Sequence, residues 1–456
     1  MPNILTRSAQ GRRASSRVGV AEHERCGAVD GTAHDASPRL RDSGFTLIEA
    51  LVSMGLAIAV LVGVLTLFDR NNQIARAQTH IAQMQNELRV GQSEMMRLTR
   101  MAGRGGLPRG PLPGGLAVGV RNNAPPAGDA RHIALGNASS PEVVAGTDVL
   151  MVRGAISGSV FQVNPLGGGF QVDDPAAPTE GTVRVEDPHS TTGVAQSLTP
   201  LIDAIRDDPH AALLLVSPVD TWVVVEIDPV TSVTDDPSNV VVGFKVGVLG
   251  GPDVRDKYLE LSSGFPTTLR NVAHVGLLEE YRYYVREERA IAGDASSDLV
   301  ARLVKARFCP NTELPHASDP DFGNEVADNI VDLQLALGVD LDGDGRIQEG
   351  KDAPQAGEVS KQDDEWLFNT AADLDGGGGP IDPLRWNPLL GSPALAYVRL
   401  TTTARADRRD AGYLAPVLGR IEDKNFGVAP HSFFNTVGER RYRRRQQQTI
   451  VDMRNL

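Results

Sequence analysis

The chain has 456 residues, enough for two or three average domains, and 41% of them are hydrophobic, which excludes a wholly disordered protein. Its 47 glycines and 29 prolines indicate many turns and loops. The net charge of −13 argues against nonspecific nucleic-acid binding, because a polyanion is attracted to concentrated Lys and Arg. The two cysteines, Cys26 and Cys309, cannot form a disulfide if Cys26 lies in a removed leader, and packing must then stabilise the fold.

An apolar run from Phe45 to Phe68 is the first element. It holds 24 residues with one charge, Glu49, and as a helix it would measure roughly 36 Å, enough to cross a bilayer. A buried core helix is the alternative, but a segment this long and apolar on all sides is typical of a transmembrane helix. Because Arg39 and Arg41 precede the run, the positive-inside rule predicts a cytoplasmic amino-terminal end.

The residues Gly44 to Glu49, Gly-Phe-Thr-Leu-Ile-Glu, resemble the processing motif of the type IV pilin family. The resemblance implies that residues 1–44 are a leader, that prepilin peptidase cuts after Gly44, and that Phe45 becomes the new, usually methylated, amino terminus. Independently of the family, a carboxylate in hydrocarbon is costly unless it has a partner, and the Phe45 ammonium of a neighbouring subunit would serve Glu49. The alternative is a Glu49 that stays solvated at the cytoplasmic interface.

Residues 69–102 are predicted to continue the helix out of the membrane. Their apolar side chains are spaced alternately three and four residues apart, as in a heptad stripe: Ile74, Ala77, Ile81, Met84, Leu88, Gly91, Met95 and Leu98. The stripe could pack on the protein's own sheet or on partner helices, and the first is favoured for its second half. The residues assigned to filament packing are Glu49, Ile74, Ile81, Met84 and Leu88.

Residues 110–456 consist of short apolar segments between clusters of Gly, Pro and Asp, a pattern typical of antiparallel strands with long connections. The predicted strands are Asp148 to Val152, Ala211 to Val216, Thr221 to Ile227, Val240 to Leu249, Leu277 to Val285, Leu299 to Phe308, Ile330 to Leu337 and Leu395 to Thr403. The predicted fold class is α+β, a long amino-terminal helix, half in the membrane and half amphipathic, packed on an antiparallel β-sheet domain with long loops. Residues 161–209 match no pattern and are interpreted as an insertion.

Several phrases in this β-rich region are similar to the PilW-type minor pilins. They are Gly146 to Leu150, Tyr281 to Arg286, Ile330 to Gln334 leading into Gly338 to Asp340, and the tail Arg441 to Arg445 with Met453 to Asn455. The resemblance implies a minor pilin that crosses the bacterial inner membrane once, with a periplasmic globular domain that later joins an extracellular filament. Its implied partners are other pilins, prepilin peptidase and the membrane. The alternatives are a minor pseudopilin of a type II secretion filament and a calcium-binding, membrane-anchored adhesin.

One acidic loop resembles the first half of an EF-hand calcium loop, because three carboxylates alternate before a glycine. The carried-over ligands are the side chains of Asp340, Asp342 and Asp344 and the carbonyl of Arg346. Lys351 stands where that loop needs a bidentate Glu, so Glu349, Asp352 or a distant acid such as Asp363 or Asp364 would have to close the site. The alternative is an acidic turn without metal. Residues 373–376 are a second, poorer candidate.

No GxSxG, HExxH or Walker A motif is present, and the sequence therefore predicts no enzyme. The nine His residues show no pair at ligand spacing, and Cys309 is interpreted as a buried thiol. The basic tail Arg440 to Arg445 could contact nucleic acid, but a solvated strand edge is favoured and no nucleic-acid partner is expected.

Overall fold

The computed structural model describes residues 46–105, 117–124, 143–156, 160–163, 168–174, 179–186, 198–207, 211–218, 222–236, 239–245, 272–289, 299–310, 315–316, 319, 323–340, 344–350, 355–359, 364–369, 394–410, 412–429 and 431–453. The chain divides into two compact units, Met1–Arg70 and Asn71–Leu456. A long amino-terminal helix and a large antiparallel β domain are present, which confirms the predicted α+β class.

Helix α1 (Leu47–Thr99) is one continuous element of 53 residues. It contains no proline and is rich in Ala, Leu, Met, Gln and Arg, which favour helix. Beyond its end Gly103 and Gly105 have φ angles of 74° and 102°, a left-handed conformation that glycine adopts without strain. The helix predicted over residues 45–102 therefore matches α1 closely, although Phe45 itself lies outside the described residues.

Strands make up most of the second unit. Within the described residues they are β1 (Val118–Arg121), β2 (Val149–Gly154), β3 (Val160–Gln162), β4 (Phe170–Val172), β5 (Glu180–Glu186), β6 (Ala212–Val216), β7 (Trp222–Val233), β8 (Asn239–Lys245), β9 (His274–Arg289), β10 (Leu299–Phe308), β11 (Asn324–Asp328), β12 (Ile330–Asp340), β13 (Trp366–Leu367), β14 (Ala394–Arg409), β15 (Arg420–Ile421), β16 (Lys424–Asn425) and β17 (Tyr442–Asp452). The shorter helical elements are α2 (Thr199–Asp207), a 3₁₀ turn (His431–Asn435) and α3 (Val437–Arg440).

Strand β9 is the central strand of the larger sheet. Its carboxyl-terminal half pairs antiparallel with β2, where Tyr283 lies opposite Leu150, and with β10, where Tyr284 lies opposite Val304. β1 extends this part beyond β2, and β11 extends it beyond β10. The strand order here is therefore β1-β2-β9-β10-β11.

The amino-terminal half of β9 belongs to a part of the same sheet that closes on itself. It pairs with β3 on one edge and with β6 on the other, and the order continues through β7, β8 and β5. A bridge between Val163, just after β3, and Val185 in β5 completes the ring. We call this ring the barrel. It has a core of its own, to which α2 contributes Leu201, Ile202 and Ile205.

A smaller antiparallel sheet has the order β13-β12-β14-β17, with β17 at its edge. The main core joins this sheet, the β2-β9-β10 part of the larger sheet and the second half of α1. Leu88 and Met95 of the helix share this core with Leu303 of β10, Leu333 of β12 and Val451 of β17. The helix is thus held by both sheets through apolar packing.

All the predicted strands are present in the structure, with Val240 to Leu249 described as far as Lys245. The stretch 161–209, for which no element was predicted, contains β4, β5 and α2. β4 has only three residues, too few to show a period, and pairs with β5 inside the same stretch, whereas β5 also pairs with β8. The structure assigns them to the barrel or its core.

Candidate functional site

The amino-terminal end of α1 has a reciprocal cap that involves Glu49. The backbone N–H and the hydroxyl of Thr46 donate to Glu49 Oε2 at 3.1 and 2.9 Å, and the backbone N–H of Glu49 lies 3.3 Å from Thr46 Oγ1. This arrangement is a capping box, in which residues three apart satisfy each other's free donors. Glu49 therefore has a local partner within its own chain. Gly44 and Phe45, the other predicted processing residues, lie outside the described residues.

The first half of α1 is apolar and uncovered. Its most apolar 18-residue window has a mean hydropathy of 2.6, and none of that window is buried. Large side chains such as Leu47, Leu56 and Phe68 are exposed along it. Among the described residues this helix alone is long and apolar enough to cross a membrane. It is compatible with a membrane anchor at the amino-terminal end of the chain.

The heptad stripe of α1 changes its environment along the helix. Ile74 is exposed and Ile81 is half-buried, so both present apolar surface. Met84 and Leu88 are buried in the protein's own core, with 4% and 1% exposure. This corrects their assignment to filament packing, because a side chain enclosed by its own sheets has no surface for a partner helix. Their packing on the sheet agrees with the expectation for the second half of the stripe.

Gln92 fixes the same part of α1 with hydrogen bonds. Its Nε2 donates to the carbonyl of Gln447 at 2.8 Å and lies 3.1 Å from Thr402 Oγ1, while the hydroxyl of Thr449 donates to its Oε1 at 2.6 Å. Gln92 is 1% exposed and therefore needs these partners. The sequence did not reveal this residue, because a polar side chain beside a heptad stripe is ordinarily read as solvated.

Glu94 joins α1 to the larger sheet. Its Oε1 accepts from Lys305 Nζ of β10 at 2.8 Å and from Arg97 at 2.8 Å, and its backbone carbonyl lies 3.3 Å from the Tyr283 hydroxyl. The hydrogen bond from Arg97, and then that from Lys305, lowers the pKa of Glu94 to about 2. The helix is thus held by an ion pair as well as by its core residues.

The acidic loop after β12 is described in part. Asp340 Oδ2 accepts the N–H of Gly345 at 2.9 Å, and Asp344 Oδ1 accepts the N–H of Arg346 at 2.7 Å. Glu349 Oε1 lies 3.3 Å from Asn369 Nδ2. Asp342, Asp352 and the second candidate at 373–376 lie outside the described residues.

The contacts of this loop are those of a tight turn in which carboxylates cap backbone N–H groups. Within the described part of the chain no group of three or more His, Cys, Asp or Glu residues is placed to hold a metal ion. Burial raises the pKa of Asp364, one of the acids considered for closing the site. Calcium binding here stays a prediction.

Two of the phrases noted in the sequence meet at a buried polar cluster between the sheets. We call Asp148, Asp332, Gln334 and Lys424 the junction cluster. The N–H of Asp148 donates to Leu333 O at 2.9 Å, and Asp148 Oδ2 accepts from the Leu335 N–H at 2.7 Å. Gly146 to Leu150 and Ile330 to Gln334 are therefore joined by direct hydrogen bonds.

The basic member of the junction cluster is Lys424, which no sequence motif identified. Lys424 Nζ lies 2.5 Å from Asp332 Oδ1, and each of these two side chains is 1% exposed. Burial, and secondly the charge of Asp423, raises the pKa of Asp148 well above its ordinary range, and burial raises that of Asp332 despite Lys424. No local spacing could have identified this lysine, because its partners come from distant parts of the chain.

The basic tail forms the beginning of β17. Arg443 donates to Asp410 at 2.7 Å, Arg444 donates to the carbonyl of Phe434 at 2.7 Å, and Arg440 Nε donates to Ala415 O at 2.7 Å. Cys309 is buried, with its sulfur 3.6 Å from Pro315 O. The contacts of the three arginines lie at the edge of the smaller sheet, whereas Cys309 directly follows β10 of the larger sheet.

No protein-family model, curated protein or solved structure matches this chain.

Proposed function

We propose that this protein is a minor pilin that inserts into the bacterial inner membrane by the first half of α1 and takes part in the assembly, initiation or capping of a type IV pilus. The observation that carries the proposal is the position of the Gly44 to Glu49 motif, since α1 begins at this motif and continues as an exposed apolar helix. A leader cut at this point would release a chain in which α1 begins two residues after the new amino terminus.

The distribution of burial along α1 supports this function. A filament subunit needs a helix with an uncovered apolar part for the membrane and for neighbouring helices, and an anchored part that carries the globular domain. The uncovered apolar part is Leu47 to Phe68, and the anchored part is Met84 to Thr99. Ile74, Ala77 and Ile81 lie between them and are the stripe residues that keep exposed surface for contacts between subunits.

Processing is tested by mass spectrometry of the protein purified from membranes of cells with and without prepilin peptidase. We expect an amino terminus at Phe45, methylated, in cells that have the enzyme, and an intact leader in cells that lack it. A mature protein that keeps residues 1–44 in the presence of the peptidase would contradict the proposal.

Glu49 needs a separate test, because the capping box offers a role that has nothing to do with a filament. Glu49→Gln keeps a capping side chain, since Gln also serves at this position, but removes the charge. Thr46→Val removes the capping hydroxyl and keeps the carboxylate. If Glu49 pairs with a neighbouring amino terminus, Glu49→Gln abolishes recovery of the protein in sheared filaments and Thr46→Val does not. Equal recovery of both variants would assign Glu49 to the cap alone.

A further inference from the structure

The Lys424–Asp332 contact in the junction cluster is unusual for an ion pair. Both side chains are 1% exposed, and Nζ lies 2.5 Å from Oδ1, which is shorter than the about 2.7 to 2.9 Å usual for an ammonium–carboxylate contact. Asp332 Oδ2 is also buried and has no hydrogen-bond partner among the described residues. Burial removes the water that would solvate the two charges, and no hydrogen bond from the described residues replaces it at Oδ2. The buried ion pair is therefore poorly stabilised.

The two groups are held in contact by the fold. Asp332 lies in β12 opposite Thr403 of β14, and Lys424 lies in β16 opposite Ile421 of β15. The Lys424 ammonium sits 4.9 Å from the centre of the Phe426 ring and 5.8 Å from that of Phe434, so apolar rings shield it from water. A nucleophile and a carbonyl carbon fixed in this way react as if at very high concentration.

We propose that Lys424 and Asp332 are joined by an intramolecular isopeptide bond. A proton passes from the Nζ ammonium to the Asp332 carboxyl group, which gives a neutral amine and a neutral acid, the forms that a buried site favours. Nζ then attacks Asp332 Cγ, and the bond from Cγ to Oδ2 breaks. Oδ2 leaves as water with two of the three protons of the original ammonium, and the third stays on the amide nitrogen. The reaction is a condensation without change of oxidation state.

Gln334 is placed to assist this reaction. Its Nε2 lies 3.1 Å from Asp332 Oδ1, the oxygen that stays in the product, and 2.9 Å from the carbonyls of Gly146 and Leu333. An amide proton shared with Oδ1 stabilises the negative charge that Oδ1 carries in the tetrahedral intermediate. The unpartnered oxygen, Oδ2, is the one that departs. The product therefore keeps the hydrogen-bonded oxygen, loses the unsatisfied one and removes both charges from the core.

A second lysine–carboxylate contact in the chain serves as a control, because no isopeptide bond is expected there. Lys305 Nζ lies 2.8 Å from Glu94 Oε1, but these side chains are 25% and 23% exposed. Both oxygens of Glu94 also accept hydrogen bonds from Arg97. Water and Arg97 stabilise the charged carboxylate, which is not attacked by an amine.

The test is tryptic digestion of the denatured full-length protein followed by mass spectrometry. Trypsin cuts after unmodified Lys and Arg, so the bond predicts one branched peptide of residues 308–346 joined to residues 421–440. Its mass should fall short of the summed peptides by one water, and cleavage after Lys424 should be lost. Peptides containing Lys305 and Glu94 should be recovered separately.

Variants define the groups involved. Lys424→Arg keeps a cation but cannot form this amide, and its digest should contain residues 308–346 unbranched. Gln334→Leu should leave a larger fraction unjoined in freshly made protein. The decisive measurement is on the unaltered protein, so it does not depend on whether a variant folds. Recovery of free 308–346 together with a peptide that ends at Lys424 would overturn the proposal and leave the pair as a buried ion pair.

Discussion

The two halves of α1 have the same secondary structure but opposite surroundings. From Leu47 to Phe68 the large apolar side chains are exposed, whereas Met84, Leu88, Met95 and Leu98 are buried in the main core. Gln92 and Glu94 add hydrogen bonds to the second half alone. The difference shows that one continuous helix can have two environments: its second half is buried in the domain, and its first half presents an uncovered apolar surface.

Leu88→Ala should have the largest effect on the domain. It removes a fully buried side chain from the main core, and we expect it to lower the free energy of unfolding by about 2 to 5 kcal/mol. Denaturant unfolding of the full chain in detergent measures this, with Leu56→Ala in the exposed half as the matched control. Equal effects of the two substitutions would contradict the division of the helix.

Leu56→Arg should prevent the first half of α1 from inserting into the membrane. A charged residue near the centre of a membrane helix costs about 2.5 to 3.5 kcal/mol on insertion, so the membrane-bound fraction should fall sharply. Extraction of membranes at high pH, compared with Leu56→Ala, measures this fraction. Unchanged membrane retention would show that this half of α1 does not span the bilayer.

Gln92→Leu should have an intermediate effect on the second half. The substitution keeps the volume of the side chain but leaves the half-buried carbonyl of Gln447 and the hydroxyls of Thr402 and Thr449 without this partner, which we expect to cost about 1 to 3 kcal/mol. Hydrogen exchange of the β17 amides provides the local measurement. Gln83 is exposed and offers a control, since Gln83→Leu should change neither the free energy of unfolding nor the hydrogen exchange of the β17 amides.

The smallest expected effect is the pH dependence of Glu94. Its pKa is lowered from 4.5 to about 2, so the stabilisation is fully present above about pH 4.5 and is lost as the pH falls towards 2. Because the carboxylate is partly exposed, solvent and salt screen it, and we expect no more than about 1 kcal/mol. Acid unfolding of Glu94→Gln should lack this component, and added salt should reduce it in the unaltered protein.

The sequence predicted those parts of the fold that have a local period. The uninterrupted apolar run and the heptad stripe identified α1, and runs such as Leu299 to Phe308 identified individual strands. Sheet order was not predictable, because it depends on pairs such as Leu150 with Tyr283 that lie far apart in the chain. The closure of the barrel was not predictable for the same reason, since among the described residues it depends on the bridge between Val163 and Val185.

The polar residues show the same limit. Asp148 and Asp332 lie in phrases that the sequence marked, whereas Lys424 and Gln92 lie in no motif and acquire their roles from distant strands. Conversely, the alternating aspartates from Asp340 to Asp344 form a strong local pattern, and Asp340 and Asp344 each accept a backbone N–H group. A spacing pattern identifies chemistry only where the ligands are neighbours in sequence.

The position of the barrel in the chain bears on the order in which the protein folds. β2 ends at Gly154 and its partner β9 begins at His274, so the residues between them must be synthesised before this pair can form. Pairing across so long a loop is entropically costly, but a folded barrel brings Phe161 and Val275 into register and shortens the distance that remains to be closed. The order of the strands in the chain therefore favours folding of the barrel first. Its long strand β9 then pairs with β2 and β10 to complete the sheet that holds α1.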